Sequence, residues 1–248
     1  MENAKNVALV TGANRGLGLE TARQLAQKGV TVVLAARKLA SAEEAAAKLK
    51  SEGLNDIYAI QLDVTKGSER SAAAQQIEKQ FGRLDILVNN AGIAPTEGGA
   101  FEKRTINTSE AELHEVFNTN VFSTILLTHD LLPLLLKSEG GRIVNLSSIL
   151  GSLTLHSQPN GPIAAAKRFS YNASKTALNA FTVHLADELK DTRIKVNSVH
   201  PGWVKTEMGS EAAPMEIPDG ARTSVELALI GPDGPTGRFI HQGQELPW

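Results

Sequence analysis

Short runs of Val, Ile, Leu and Ala recur at residues 7–10, 30–35, 57–62, 86–88, 142–146, 194–199 and 238–241. They are apolar almost without alternation. Strands buried on both faces read this way, so the runs predict a parallel sheet. Between them lie helix-forming stretches at residues 18–28, 42–51, 68–80, 110–127 and 170–190. Strands alternating with helices mean repeated βαβ units. The expected fold is α/β, a doubly wound sheet of about seven mainly parallel strands with helices on both faces. No repeat or linker divides it, so one domain is expected over residues 1–248.

Two stretches depart from the alternation. Residues 125–136 are the most apolar longer run, but His129, Asp130 and Pro133 interrupt it. It is shorter than the roughly 20 apolar residues a membrane-spanning helix needs, so a buried helix is expected, with no membrane partner. Residues 209–223 contain Pro214, Pro218 and Gly220 and read as a loop or a short helical excursion.

Composition narrows the function classes. The net charge of −2 offers no basic excess to neutralise phosphates, which argues against a nucleic-acid partner. The 248 residues include no cysteine, which excludes disulfides, thiolate catalysis and Cys-ligated metals and suits a reducing compartment. Met1 to Lys5 lead straight into an apolar run with no signal-peptide pattern, so a cytoplasmic location is expected. No metal-ligand cluster is visible.

The chemistry starts at the first strand end, Thr11-Gly12-Ala13-Asn14-Arg15-Gly16-Leu17-Gly18. Glycines between a buried strand and a helix allow a tight turn and let backbone N–H groups approach a pyrophosphate at the helix N-terminus. Tyr171 and Lys175 form a second motif. Four residues apart on a helix, they share a face, and a cation near a phenol favours the phenolate. In isolation, Tyr-x-x-x-Lys is most often a solvated surface pair.

The spacing T-G-x-x-x-G-x-G resembles the cofactor loop of the short-chain dehydrogenase/reductase family, and the resemblance runs to about Thr206. It implies a Rossmann-type fold and a nicotinamide dinucleotide. Ala36 stands where an acid would bind the ribose 2′-hydroxyl of NAD, and Arg37 follows it. With Arg15 at the family's other basic position, NADP(H) is the expected cofactor. Asp63 and Val64 match the adenine side, although Asp63 could equally cap the next helix. Asn89-Asn90-Ala91-Gly92 matches the motif that braces the sheet and lines the cofactor cleft.

By the same resemblance, Ser148 holds the substrate oxygen, Tyr171 donates the proton, Lys175 lowers the Tyr171 pKa and bonds the nicotinamide ribose, and Asn120 anchors a water of the proton path. Asn118 competes with Asn120 by composition alone. Pro201, Gly202, Val204 and Thr206 match the nicotinamide-binding segment, while His200 reads as locally packed. The implied activity is NADPH-dependent reduction of a ketone or aldehyde to an alcohol, and the reverse oxidation. The rivals are a 3-oxoacyl carrier-protein reductase and a non-catalytic NADP(H) sensor.

The departure from the family pattern lies before Tyr171, where residues 150–170 run roughly ten residues longer than usual. Some monomeric carbonyl reductases carry a longer insertion here, over a surface that relatives use to form tetramers. The extension therefore puts the usual homotetramer in doubt and leaves a homo-oligomer open. Substrate contacts are expected from Ser148, Tyr171, His156, Trp203 and Met208, with a lid over about residues 207–223.

Overall fold

The computed structural model describes residues 5–95 and 105–248. Its centre is one sheet of eight strands in the order β3-β2-β1-β4-β5-β6-β7-β8. The strands are β1 Val7–Thr11, β2 Thr31–Ala36, β3 Ile57–Gln61, β4 Ile86–Asn89, β5 Arg142–Leu146, β6 Lys195–Val199, β7 Arg238–His241 and β8 Gln244–Glu245. All pairings are parallel except β7 with β8. The order reverses between β1 and β4, which opens a crevice at the carboxyl ends of the strands.

Successive side chains of a strand point to opposite faces. Val7, Leu9, Val33 and Leu87 therefore enter one core, with α3 (Gly67–Phe81), α5 (Ser123–Leu135) and α7 (Phe169–Glu188). Ala8, Val10, Val32, Leu34 and Val88 enter the other, with α1 (Gly16–Gln27), α2 (Leu39–Ser51) and α8 (Ile217–Ala228). Both faces are buried, which is why the strands read as unbroken apolar runs. Truncating a fully buried residue such as Leu9 or Leu34 to Ala would cost about 2–5 kcal/mol.

Three elements differ from the sequence expectation. The eighth strand, β8, turns back through Gln242 and Gly243, both at positive φ, which suits a two-residue hairpin. The helix expected over 110–127 is α4 (Glu110–Phe117), a π turn at Asn118–Phe122, and α5, which runs on to Leu135 with Pro133 inside it. The expected loop at 209–223 ends at Ile217, where α8 begins. Pro218 lies in the first turn of α8, where its missing N–H removes no bond. Among the described residues no helix is long and apolar enough to cross a membrane.

Candidate active site

The glycine loop is bolted to the neighbouring strand end. Gly12 and Gly16 have φ of 62° and 55°, a region that favours glycine. The Asn90 side-chain amide donates to Thr11 O at 2.7 Å and to Gly12 O at 3.2 Å. The Thr11 hydroxyl accepts from the amides of Asn90 and Ala91, each at 3.0 Å. A Cβ on Gly18 would collide with the Asn90 amide nitrogen and approach Gly12 O to 2.5 Å, so only glycine lets α1 start this close. Arg15 precedes α1 and makes no side-chain cap, which leaves the first amides of the helix to an anion. This cradle fits a pyrophosphate.

Arg37 follows the end of β2 and is exposed, with apolar Ala36 before it. It lies close enough to Asp63 to act on that carboxyl. Burial pushes the Asp63 pKa up, but hydrogen bonds from the Thr65 hydroxyl and amide, with the charges of Lys66 and Arg37, outweigh it and leave the value below normal. Asp63 closes a local turn on Thr65, at 2.7 Å and 3.1 Å, while Lys66 is the residue at the start of α3. The helix-cap alternative for Asp63 is thereby removed. Val64 is buried in the core. Arg15 pairs with Glu207 at 2.6 Å, both side chains mostly exposed, and so links the glycine loop to the segment after β6.

At the next strand ends the expected catalytic residues come together. The π turn, an inserted residue that often marks functional sites, rotates Asn120 inward and leaves Asn118 exposed. Asn120 accepts from Ile93 N at 2.8 Å and donates to Ile93 O at 2.9 Å and the Ser174 hydroxyl at 3.0 Å. A Cβ on Gly92 would lie 3.3 Å from Asn120 Oδ1 and 3.6 Å from Lys175 Nζ, which sets those two polar groups on one small opening. Lys175 donates to Leu146 O at 2.7 Å, and its Nζ lies 5.6 Å from the centre of the Tyr171 ring. Ser148 follows β5 and accepts from Leu150 N at 3.2 Å, and its hydroxyl lies near enough to the Tyr171 phenol to favour the ionised form.

Burial raises the Tyr171 pKa, and the Ser148 hydroxyl and the Arg168 charge offset this only in part. Burial also lowers Lys175 to about 8. Desolvation thus outweighs any depression of Tyr171 by its neighbours, and the phenol keeps its proton at neutral pH.

A buried polar row supports these residues, and sequence reading picked out only its first member. Asn89, Asn145 and Ser198 are in register on β4, β5 and β6. Asn89 donates to Asn145 at 2.9 Å, Asn145 to the Thr182 hydroxyl at 2.9 Å, and the Thr182 and Ser198 hydroxyls are 2.8 Å apart. Asn89 also reaches Thr128 on α5, and Thr124, one turn earlier, bonds Asn120 O. The signal was available as a polar residue at the same level of three adjoining apolar strands.

Beyond β6, Gly202 has φ 92°, and a Cβ there would meet Met215 Sδ at 2.7 Å. Buried Val204 pairs with Met215 in an isolated bridge, and Thr206 accepts from Gly209 N at 3.1 Å. Trp203, 57% exposed, donates to Gly209 O, and Met208 is 53% exposed. His200 is half-buried with its ring 4.8 Å from that of His241, and desolvation together with that neighbour pushes its pKa down to about 3. His156 Nε2 bonds Leu150 O at 3.0 Å and its Nδ1 meets Lys167 Nζ at 3.1 Å, so its ring is held within the segment before Tyr171.

An anion cradle at a helix start, with Ser148 at the end of β5 facing Tyr171 and Lys175 of α7, defines a nucleotide-binding oxidoreductase. The short chain dehydrogenase family model matches residues 6–217. Short-chain dehydrogenase/reductase 1 of Saponaria officinalis is 34% identical over 98% of this chain and 96% of its own. Carbonyl reductase (NADPH) 1 of Mus musculus is 31% identical over the whole of both chains. The structure of NADPH-bound carbonyl reductase from chicken fatty liver superposes with a TM-score of 0.83 at 28% identity, covering 98% of this chain and 99% of that one. The chain belongs to the short-chain dehydrogenase/reductase family, whose members use nicotinamide cofactors.

Proposed function

We propose that the protein is an NADPH-dependent carbonyl reductase that converts a ketone or aldehyde to an alcohol. The observation that carries this reading is the convergence of the half-buried Tyr171 phenol, its pKa raised by desolvation and sensitive to Ser148, with the Lys175 ammonium 5.6 Å from its ring centre. When bound, NADPH supplies the hydride. Gly12, Asn14, Gly16, Leu17 and Gly18 would hold the pyrophosphate, and Arg37, with Arg15 once it leaves Glu207, the 2′-phosphate. Asp63 and Val64 would lie on the adenine side, and Asn90, Ala91 and Gly92 along the cleft. Pro201, Gly202, Val204 and Thr206 would take the nicotinamide end. The Arg37 reading agrees with the cofactor in the names of the mouse and chicken relatives.

The chain's own residues manage the proton. Ser148 Oγ accepts from Leu150 N, and its O–H, which faces the Tyr171 phenol, would donate to a substrate oxygen placed between them. Tyr171, kept protonated by burial, gives its proton to that oxygen as the alcohol forms. The phenolate left behind is stabilised by Lys175, which is largely charged below its pKa of about 8, and by Arg168. Asn120, fixed on Ile93 and Ser174, stands beside Lys175 for proton resupply. Trp203 and Met208 would flank the substrate from the lid side. The test is NADPH oxidation with a panel of ketones and aldehydes. Turnover with at least one, and much weaker turnover with NADH, is expected; oxidation with none would refute the reading.

A further inference from the structure

We propose that Trp248 is a positioning residue that sets how the enzyme accepts bulky carbonyl substrates. This deepens the reductase reading and rests on it. The segment concerned begins at Ser148 and ends at Tyr171, so its placement shapes the space in front of both reacting hydroxyls. It comprises a 3₁₀ turn, Ile149–Gly151, and the short helix α6, Leu153–His156, before an irregular return to α7.

The two ends of this segment are held close to the catalytic helix. The Thr176 hydroxyl donates to Gly151 O at 2.9 Å, and a Cβ on Gly151 would lie 2.8 Å from the Lys175 backbone. At the far end Asn172 donates to Ala166 O at 2.7 Å, and Arg168 to Pro95 O at 2.7 Å. Across the middle, Lys167 donates to His156 O at 2.8 Å.

The outer side is held from a distant part of the chain. Thr154 N, in the first turn of α6, donates to the main-chain oxygen of Trp248 at 2.8 Å. The Trp248 indole is stacked on Phe239, centroids 5.7 Å apart and planes at 16°. Phe239 is fully buried in β7, in register with Ser198, which contacts α7 through Thr182. Trp248 is therefore a post planted on the sheet. From it the contacts run through α6 to His156, whose main-chain oxygen and ring Nδ1 take Lys167 on the return towards Tyr171.

Removing the post loosens α6 and leaves the Ser148–Tyr171 base and the glycine loop held by their own contacts. The effect falls on a substrate large enough to touch the segment. A small aldehyde and the cofactor escape it.

The test compares the full chain with Trp248→Ala and Trp248→Phe. Expected for Trp248→Ala is amide exchange in residues 153–157 accelerated about tenfold, from loss of the aromatic stack, with NADPH affinity by fluorescence titration within about twofold. KM for a bulky polycyclic ketone changes about fivefold or more, while kcat and KM for a small aliphatic aldehyde stay within about twofold. Trp248→Phe, which keeps a stacking ring, restores both readouts. Unchanged exchange overturns the proposal. So does a uniform fall in kcat and NADPH affinity that Phe does not rescue. A wild type that reduces no carbonyl refutes the reductase reading instead, and the exchange data then decide the positioning role alone.

Discussion

Replacing Lys175 with Met is expected to stabilise the cofactor-free protein at pH 7 while abolishing turnover. The ammonium is buried and its pKa falls from 10.5 to about 8. Between those values the unfolded chain keeps a proton that the native state has lost, so native stability rises with pH across that window. Below about 8 both states are charged and the full burial penalty, roughly 3 kcal/mol, weighs on the native state. Met fills similar space without charge. It also leaves Leu146 O without its 2.7 Å partner, which costs about 1 kcal/mol. The net gain at pH 7 is about 2 kcal/mol, or a Tm higher by about 4–8 °C in a chain of this size. Urea unfolding followed by circular dichroism at several pH values measures it. The gain should shrink as pH climbs from about 8 towards 10.5. A variant no more stable than wild type at pH 7, or a gain independent of pH, would refute the assignment of Lys175 as a strained buried cation.

Gly18→Ala forces a methyl against Asn90 and Gly12 O, so it should lower stability by about 1–3 kcal/mol and weaken NADPH binding about tenfold or more, both read from denaturant and fluorescence titrations. Arg37→Asp removes a charge-assisted contact of about 1.5–3 kcal/mol, so NADPH should bind roughly ten- to a hundredfold more weakly while NADH changes little. Glu207→Gln releases Arg15 from an exposed ion pair worth at most about 1 kcal/mol. NADPH should then bind tighter by no more than about fivefold, and the gain should fade in high salt.

The central strands were legible because burial on both faces leaves no polar alternation to obscure them. Strand β8 was not, since two exposed residues carry no pattern and only the Gln242-Gly243 turn marks it. The start of α8 was masked by Pro218 and Gly220. Proline is harmless in a first turn, and Gly220 is required by packing, since a Cβ there would meet Val204 at 2.5 Å and Leu17 at 2.9 Å. Helical spacing brought Tyr171 and Lys175 to one face, but the direction of the Tyr171 shift depends on burial, which spacing does not reveal. The local partners of His156, Leu150 and Lys167, follow from the fold of the longer segment, which spacing alone does not reveal. The Trp248 contact joins residues 94 apart and leaves no local trace.

The central claim is that Tyr171 supplies the proton. Tyr171→Phe removes the hydroxyl alone and leaves the glycine loop and Arg37 untouched. Its NADPH dissociation constant and its kcat on the best carbonyl of the panel should be measured side by side. The account predicts binding within about twofold of wild type and kcat reduced by about a hundredfold or more, the scale of general acid catalysis. A variant that binds NADPH normally and still turns over near the wild-type rate would contradict it.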